Sequence, residues 1–133
     1  MERAELRIST GRRLVTDLTD EVTTFCRGRG DGLVHVFVPH ATAGLALIET
    51  GSGSESDLAE ALGRMLPRQD IYRHRHGSIG HGGDHVMPAF VAPSLSVPVD
   101  DGAPALGTWQ SIVLIDPNVD NAIRRVRLSF LPG

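Results

Sequence analysis

Four of the six histidines of this chain lie within fourteen residues, in the stretch YRHRHGSIGHGGDH. His74 and His76 stand at alternate positions, so their imidazoles share a face if the backbone is extended. His81 and His85 follow, and the glycines between the two pairs let the backbone bend far enough to bring all of these rings together. Neutral imidazole is a common ligand of zinc and related metals. The stretch therefore predicts either a metal or anion site or a polar loop that happens to be rich in histidine.

The residue types that the chain lacks narrow this chemistry. All thirteen basic residues are arginine, which excludes a Schiff-base lysine and a phosphate loop built on lysine. Cys26 is the only cysteine, so an intrachain disulfide and a multi-cysteine zinc site are excluded. It has helical spacing with Val22, and we expect it to be a buried small hydrophobe. A metal ion would take nitrogen and oxygen ligands, and anions would be bound by arginine, histidine or backbone amides.

A second group of polar residues follows the apolar stretch GLVHVFVP. His40 stands at the tip of this predicted strand, where it either faces a cleft or caps a turn. Thr42 and the backbone amides through Gly44 can hydrogen-bond an anion there. Glu49 ends GLALIE, where it is either a general base or a solvated carboxylate.

The remaining candidates also have structural alternatives. Asp57 lies in the first turn of a predicted helix, where the helix dipole already favours a carboxylate. Trp109 is expected to pack in the core with its indole N–H bonded, while Gln110 on the opposite face of the strand points into a site. Arg124 and Arg125 diverge on a strand, which leaves one of them free for phosphate or places both in ion pairs at the surface or between subunits.

Composition limits the class of protein and its partners. A chain of 133 residues that is 41% hydrophobic fits one domain, residues 1–133, with its own core. The net charge of -3 and the 5% aromatic content argue against a nucleic-acid partner. No apolar run approaches the ~20 residues that cross a bilayer, and MERAELRIST has no signal-like stretch. We therefore expect no membrane partner and a cytoplasmic location.

The hydrophobic pattern predicts five to seven strands and two helices. One helix begins near Thr19, its predicted N-cap, and ends at RGRG; the other is capped by Ser54 or Ser56 and stops at Pro67. Its apolar face comprises Leu58, Ala61, Leu62 and Met65. The strands are AELRIST, residues 14–18, GLVHVFVP, GLALIET, SLSVPV, WQSIVLID and RRVRLSF. Since helices and strands do not alternate regularly, the economical interpretation is an antiparallel α+β fold.

Several motifs together resemble the YjbQ-like family, whose members are labelled secondary thiamine-phosphate synthases. HATAGLALIET, YRH, DHV, SVPV, LGTWQSIVLID and RRV stand in the order of that family and nearly at its spacing. The combination of His-x-Thr-Ala-Gly, Tyr-x-His and Gly-Thr-Trp-Gln is specific, whereas any one of these motifs alone is not. The N-terminal part also matches, so the resemblance covers essentially the whole chain.

The resemblance implies a single-domain antiparallel β-sandwich with two helices, an α+β fold that assembles as a homotrimer with sites at subunit boundaries. The family has a three-histidine cluster, and its positions correspond here to His40, His74 and His85. The resemblance therefore implies that these residues bind a divalent metal ion (zinc or magnesium) or a phosphate. His76 and His81 match no family position, and we expect them to be loop residues or groups behind the ligands. The chain also departs from the family at Ile48, where asparagine is usual, and at MPAFVAPS and GSGSES, which bears on the substrate more than on the fold.

The activity that the resemblance implies is a transferase reaction joining a hydroxymethylpyrimidine diphosphate to a thiazole phosphate. A metal ion and arginines would neutralise the leaving pyrophosphate. The residues expected to serve it are Glu49, Asp57, His40 and Gln110 for catalysis, and Thr42, Trp109, Arg124 and Arg125 for the small phosphorylated substrate. Two alternatives stand beside it: a metal-dependent hydrolase of a small phosphate ester with Glu49 as base, and a non-catalytic trimeric protein that binds a metal or anion.

Overall fold

The computed structural model describes residues 1–133 and contains two antiparallel sheets. The first sheet has the strand order β1-β8-β3-β5-β6 and the second has the order β2-β7-β4. In chain order the strands are β1 (Glu2–Ser9), β2 (Val15–Asp17), β3 (Gly32–Phe37), β4 (Gly44–Ile48), β5 (Ser94–Asp100), β6 (Ala103–Pro104), β7 (Ser111–Ile115) and β8 (Ile123–Pro132). All seven predicted strands are present, and the short β6 is an addition.

The main core lies between the two sheets. It takes Val34 and Val36 from β3, Leu128 from β8 and Leu114 from β7, all fully buried. Strand β8 alternates as its sequence predicts, because side chains of one parity point into this core while Arg125 and its alternate neighbours stay exposed. The α+β class and the packing of two antiparallel sheets on one core are therefore confirmed.

The first helix, α1 (Thr19–Cys26), covers one side of this core. Val22, Phe25 and Cys26 are buried, as the helical spacing predicts, and burial raises the pKa of the Cys26 thiol. Thr19 does not act as the predicted N-cap, because Leu18 occupies that position. The Thr19 hydroxyl instead accepts a hydrogen bond of 2.9 Å from the Ile112 backbone N–H and so ties the helix to β7.

The second helix, α2 (Ser54–Met65), begins differently from the prediction. Its N-cap is Gly53, with φ 100°, and neither Ser54 nor Ser56 makes a capping hydrogen bond. The carboxylate of Glu55 instead accepts the backbone N–H of Gly51. A glycine tolerates this left-handed conformation without the steric cost of a Cβ, so the chain enters the helix without a side-chain cap.

Only part of the predicted apolar face of α2 is used. Leu58 and Leu62 pack on a smaller hydrophobic cluster that includes Met87 and Ile115. Ala61 is exposed and Met65 is 49% exposed. One narrow stripe of the helix is thus held by apolar packing, while much of its remaining surface faces solvent.

A third helix, α3 (His81–Asp84), lies in the histidine-rich stretch and corrects the prediction of two helices. It is four residues long and contains two glycines, so helix propensity gave no signal for it. A 3-10 turn at Met87–Ala89 follows. No helix in the structure combines the length and the apolar character needed to cross a membrane.

Candidate metal centre

The four histidines of the opening stretch converge. One ring nitrogen from each of His74, His76, His81 and His85 lies within 4.8 Å of the corresponding nitrogens of the other three. The Nε2 atoms of His74 and His76 are 2.5 Å apart, and those of His81 and His85 are 2.9 Å apart. His81 is buried and His85 half-buried, whereas His74 and His76 are exposed. The cluster is therefore anchored on one side and open to solvent on the other.

The short helix α3 sets the buried half of the cluster. His81 begins α3 and His85 follows its last residue, and a separation of four residues places both rings on the same side of a helical turn. Gly80 precedes the helix with φ 80°, and a Cβ there would lie 2.5 Å from Arg68 Cα. Glycine at this position lets the chain turn tightly against Arg68 and enter α3.

The two glycines inside α3 allow the other half of the cluster to approach. A Cβ at Gly82 would lie 2.4 Å from Tyr72 Cβ and 2.6 Å from the His74 carbonyl oxygen. At Gly83 a Cβ would lie 2.7 Å from the Tyr72 hydroxyl. That hydroxyl donates a hydrogen bond of 2.8 Å to the Pro67 carbonyl. Tyr72 thus packs flat on α3 and fixes the segment that carries His74 and His76.

We expect Gly82→Ala to destabilise this arrangement, because the added methyl group has no space beside Tyr72. Overpacking of this kind costs about 1–3 kcal/mol of the free energy of unfolding, which urea denaturation measures. Gly63→Ala is the matched control, since nothing lies within 4 Å of a Cβ there in α2. That change should raise stability by about 0.5–1 kcal/mol, because alanine has the higher helix propensity. Equal stabilities of the two variants would contradict the close packing of Tyr72 on α3.

Two carboxylates lie on the far side of the buried His81 ring. His81 Nδ1 is 3.4 Å from Asp84 Oδ2 and 3.4 Å from Asp120 Oδ2. Asp84 is itself buried, and its Oδ1 accepts a 2.5 Å hydrogen bond from Arg68 Nη2. Burial raises the pKa of the Asp84 carboxyl, and Arg68 opposes that rise. At 3.4 Å neither carboxylate makes a hydrogen bond with His81 Nδ1, which is buried without a partner, and Nε2 is the nitrogen that faces the cluster.

Electrostatics also keep the half-buried imidazole neutral. The pKa of His85 is lowered by burial and by the neighbouring rings of His74, His81 and His76. A neutral imidazole keeps the lone pair that a metal ion requires. His85 is thus poised to give a nitrogen ligand at neutral pH.

His40 does not join this cluster within the chain, so the membership differs from the expected set of His40, His74 and His85. Its Nε2 accepts a 2.9 Å hydrogen bond from the backbone N–H of Arg125. Strand β3 pairs with β8 only as far as Phe37 opposite Arg127, so the Arg125 N–H has no β3 partner and the imidazole supplies one. The structure thus gives His40 a contact with a strand backbone, where the sequence predicted a histidine that faces a cleft or caps a turn.

This contact predicts a pH-dependent contribution of His40 to stability. Burial, followed by Arg124 and Arg125, lowers the pKa of His40, against a weaker opposing effect of Asp116. Only the neutral ring accepts the Arg125 N–H, so the contribution is fully present above the unfolded value of about 6.5. It is lost as the pH falls through the lower folded value.

Chemical denaturation at pH 7.5 and 5.5 tests this expectation. The wild type should lose more stability between these values than His40→Gln, whose amide oxygen accepts the same hydrogen bond without titrating. The difference between the two losses isolates His40 from the other histidines. Identical losses would contradict the assigned role.

Thr42 and Arg124, both predicted to bind phosphate, belong to a buried polar network around Asp116. Arg124 is 2% exposed, and its Nε donates to Asp116 Oδ2. The Thr42 hydroxyl donates to Asp116 Oδ1 at 3.4 Å. Arg124 Nη1 donates to the Ile123 carbonyl, while Nη2 is buried without a partner. Of the two adjacent arginines, Arg125 is the exposed one.

The other predicted site residues lie at the surface of the chain and not at the cluster. Glu49 and Asp57 are exposed. Gln110 Oε1 accepts the Gly107 N–H at 2.8 Å in a local turn. Trp109 is 72% exposed, so the expectation that it packs in the core is wrong. It falls just before β7, which begins at Ser111, and therefore escapes the inward face of that strand.

Sequence reasoning missed three members of this centre. His76 and His81 are part of the cluster itself, and Asp120 approaches His81 from the loop before β8. The spacing HGGDH, two histidines four residues apart, was a usable signal for a shared helical face. Nothing near Asp120 in the sequence indicates its place.

Comparison with known proteins confirms the resemblance seen in the motifs. The sequence model of the family described as "UPF0047 protein YjbQ-like" matches residues 4–133. A UPF0047 protein of Mycobacterium tuberculosis (strain ATCC 25618 / H37Rv) is 62% identical over 133 residues, covering 100% of both chains. A UPF0047 protein of Archaeoglobus fulgidus is 34% identical over 113 residues, covering 84% of this chain and 88% of that one.

A solved structure shares the fold. The crystal structure of the hypothetical protein APE1520 from Aeropyrum pernix K1 superposes with a TM-score of 0.90 at 28% identity, and 100% of each chain is covered. Sequence and fold agree over the same length. The chain belongs to the YjbQ-like UPF0047 protein family.

Proposed function

We propose that this chain binds one divalent transition-metal ion between His74, His76, His81 and His85, and that the ion serves a reaction of a small phosphorylated substrate. The observation that carries the proposal is the convergence of four imidazole nitrogens within 4.8 Å. Tetrahedral zinc with Zn–N bonds of about 2.0–2.1 Å separates its ligand atoms by about 3.3 Å. The observed nitrogen separations bracket this value, so small ring rotations suffice to seat an ion.

The donor set favours zinc over magnesium. All four groups offer imidazole nitrogen, which suits zinc, copper and nickel, whereas magnesium requires oxygen ligands and retains water. The carboxylates of Asp84 and Asp120 face His81 Nδ1. A carboxylate that hydrogen-bonds this nitrogen would hold a ligand ring and raise its basicity.

The exposed side of the cluster is where a substrate would approach. His74 and His76 lie at the surface, where they alternate with Arg73 and Arg75 in the sequence RHRH. Both arginines are exposed, and Arg75 reaches Asp70 only at 3.7 Å. When bound, the metal ion would supply a Lewis acid for a phosphate oxygen, which requires a fifth ligand position beside the four nitrogens. The arginines add positive charge beside it, whereas Arg124 is buried and paired with Asp116.

Thiamine-phosphate synthesis is the reaction that the family resemblance supports. The carbon–oxygen bond to pyrophosphate breaks and the thiazole nitrogen forms the new bond to that carbon. This chemistry requires stabilisation of the departing pyrophosphate and no protein nucleophile. Arginines at the open side of a nitrogen-ligated metal fit that requirement.

The proposal includes a homotrimer. Trp109 is 72% exposed, and the family's other polar residues, Glu49, Asp57 and Gln110, are exposed as well. Assembly would cover the tryptophan and place these groups against a neighbouring subunit. Light scattering should give about three times the chain mass of 14.3 kDa. A monomeric mass would overturn the trimer but not the four-histidine site, which lies within one chain.

The same four nitrogens favour a second function, a non-catalytic metal-binding protein. Four imidazoles fill a tetrahedral zinc site, and closed sites of this kind are structural. Glu49 and Asp57 lie outside the cluster, which leaves the chain without a general base at the metal. The two functions share the ion and differ in turnover.

Metal content tests the site. Chelator-treated protein dialysed against zinc and then against buffer should retain one ion per chain, measured by atomic emission. The His76→Ala variant should lose this ion, whereas His40→Ala should retain it, because His40 contacts Arg125 and not the cluster. Loss in His40→Ala with retention in His76→Ala would overturn the four-histidine assignment.

Activity then separates the functions. Zinc-loaded protein is given the pyrimidine diphosphate with and without the thiazole phosphate. Formation of thiamine phosphate when both substrates are present supports the transferase. Pyrophosphate release at the same rate with and without the thiazole phosphate indicates hydrolysis. If the zinc-loaded protein catalyses neither reaction, the non-catalytic metal-binding function is supported.

A further inference from the structure

A separate cavity lies behind the metal centre, between α2, α3 and the chain around Arg12 and Pro117. Its volume is about 270 Å³, near the lower end of the range of about 300–1,000 Å³ for ligand pockets, so its ligand is small. Much of its wall is apolar, formed by Leu14, Leu62, Leu66 and Met87. A wall of this kind holds a short hydrocarbon group.

The charged groups of the cavity are not balanced. Asp84 and Asp116 line it, and each already has a cationic partner, Arg68 and Arg124 respectively. Arg12 also lines the cavity, and it makes no ion pair or hydrogen bond in the structure. Its guanidinium is therefore one unmatched positive charge at an apolar pocket, and it complements an anion.

The backbone at Arg12 is consistent with this placement. Arg12 has φ 65°, a left-handed conformation that costs a non-glycine residue roughly 1–2 kcal/mol. Arg12 is exposed, and two successive left-handed residues, Gly11 at φ 59° and Arg12, form the tight turn that accounts for this conformation. The turn after Gly11 thus brings Arg12 to the cavity.

None of the four histidines lines the cavity, and Asp84 lies between the cavity and the cluster. The Nε2 atom of His81 faces His85 at 2.9 Å, whereas its Nδ1 faces Asp84, which lines the cavity. A molecule in the cavity therefore contacts Asp84 and not the cluster nitrogens. The two sites are distinct.

We propose that this cavity binds a small amphipathic carboxylate, with its hydrocarbon part against Leu62, Leu66 and Met87 and its carboxylate on Arg12. A planar carboxylate matches the guanidinium fork with two parallel hydrogen bonds. Asp84 and Asp116 in the wall disfavour a dianion such as a phosphate monoester, because each further negative charge meets like charge.

Titration of the chelator-treated chain with hexanoate, followed by ¹⁵N-resolved amide shifts, tests the proposal without any dependence on metal. Saturable shifts are expected at residues around the cavity. Hexanol lacks the charge and acetate lacks the chain, so each should bind at least about tenfold more weakly, the equivalent of one charged hydrogen bond or several buried methylenes.

Two variants localise the head group. Arg12→Gln should weaken hexanoate binding about tenfold, since it removes one charge-assisted contact. Arg13→Gln is the matched control, because Arg13 does not line the cavity and only approaches the Ser9 carbonyl at 3.4 Å. Absence of saturable binding, equal affinity for hexanol, or equal losses in both variants would overturn the proposal. Each of these results is independent of whether the histidine cluster binds zinc.

Discussion

The His81→Ala variant is expected to lose more than about 100-fold in zinc affinity, beyond the 10–100-fold typical of residues behind the ligands. His81 is the buried histidine of the cluster, and it lies between Asp84 and Asp120 on one side and His85 on the other. Its removal takes away the nitrogen whose position is best defined. Competition with a chromogenic chelator measures the change.

The control for this experiment is His35→Ala. His35 lies on β3, and its Nδ1 contacts Ser96 Oγ at 2.8 Å, away from the cluster. Its zinc affinity should equal that of the wild type. If His81→Ala retained wild-type affinity, the metal would have to be held elsewhere, and the four-histidine centre would be rejected.

Arg124→Met is expected to lower the free energy of unfolding by about 3–5 kcal/mol, because it leaves Asp116 as a buried charge without its partner. Both side chains are almost fully buried, with exposures of 3% and 1%. The loss of a bridge at the surface would cost at most about 1 kcal/mol. Urea denaturation at pH 7 gives the difference directly.

Two further variants show whether the unpaired charge is the cause. Arg125→Met changes the exposed neighbour and should stay within about 0.5 kcal/mol of the wild type. The double variant Asp116→Leu with Arg124→Met removes both charges and should recover much of the loss. A single variant as stable as the wild type would show that the pair contributes nothing.

Strands β1, β5 and β8 were predictable because their burial follows a period of two, whereas β7, buried at four consecutive positions, was predictable from its continuous apolar run. Val126, Leu128 and Phe130 point inward as that period requires. The same parity places Arg124 inward, so the burial of this arginine was available from the sequence. Arginines are nevertheless expected at the surface, because burial of the charge is tolerable only with a partner such as Asp116, and the sequence does not identify that partner.

It was harder to predict from the sequence which histidines form the cluster. His74 and His85 were expected, but His40 is occupied by a backbone N–H that depends on where β3 stops pairing with β8. His76 and His81 enter because Gly82 and Gly83 let Tyr72 lie flat on a helix of four residues. Such contacts come from tertiary packing, and hydrophobic periodicity does not record them.

The predictions for the helix N-caps and for Trp109 were wrong for local reasons. Serine is a common N-cap, yet α2 begins at Gly53 because the turn before it is left-handed. Trp109 precedes its strand by two residues and escapes the alternation that would have turned it inward. A pattern that assigns an element correctly can thus misplace residues at its ends.

All four cluster histidines come from a single window of twelve residues, 74–85. A denatured chain keeps ligands that are so close in sequence near one another, and it therefore retains part of its affinity for the ion. Binding to the unfolded state subtracts from the stabilisation that a ligand gives to the native one. Zinc should consequently raise the melting temperature by less than its native-state affinity implies, and it can associate with this segment before the sheets have assembled.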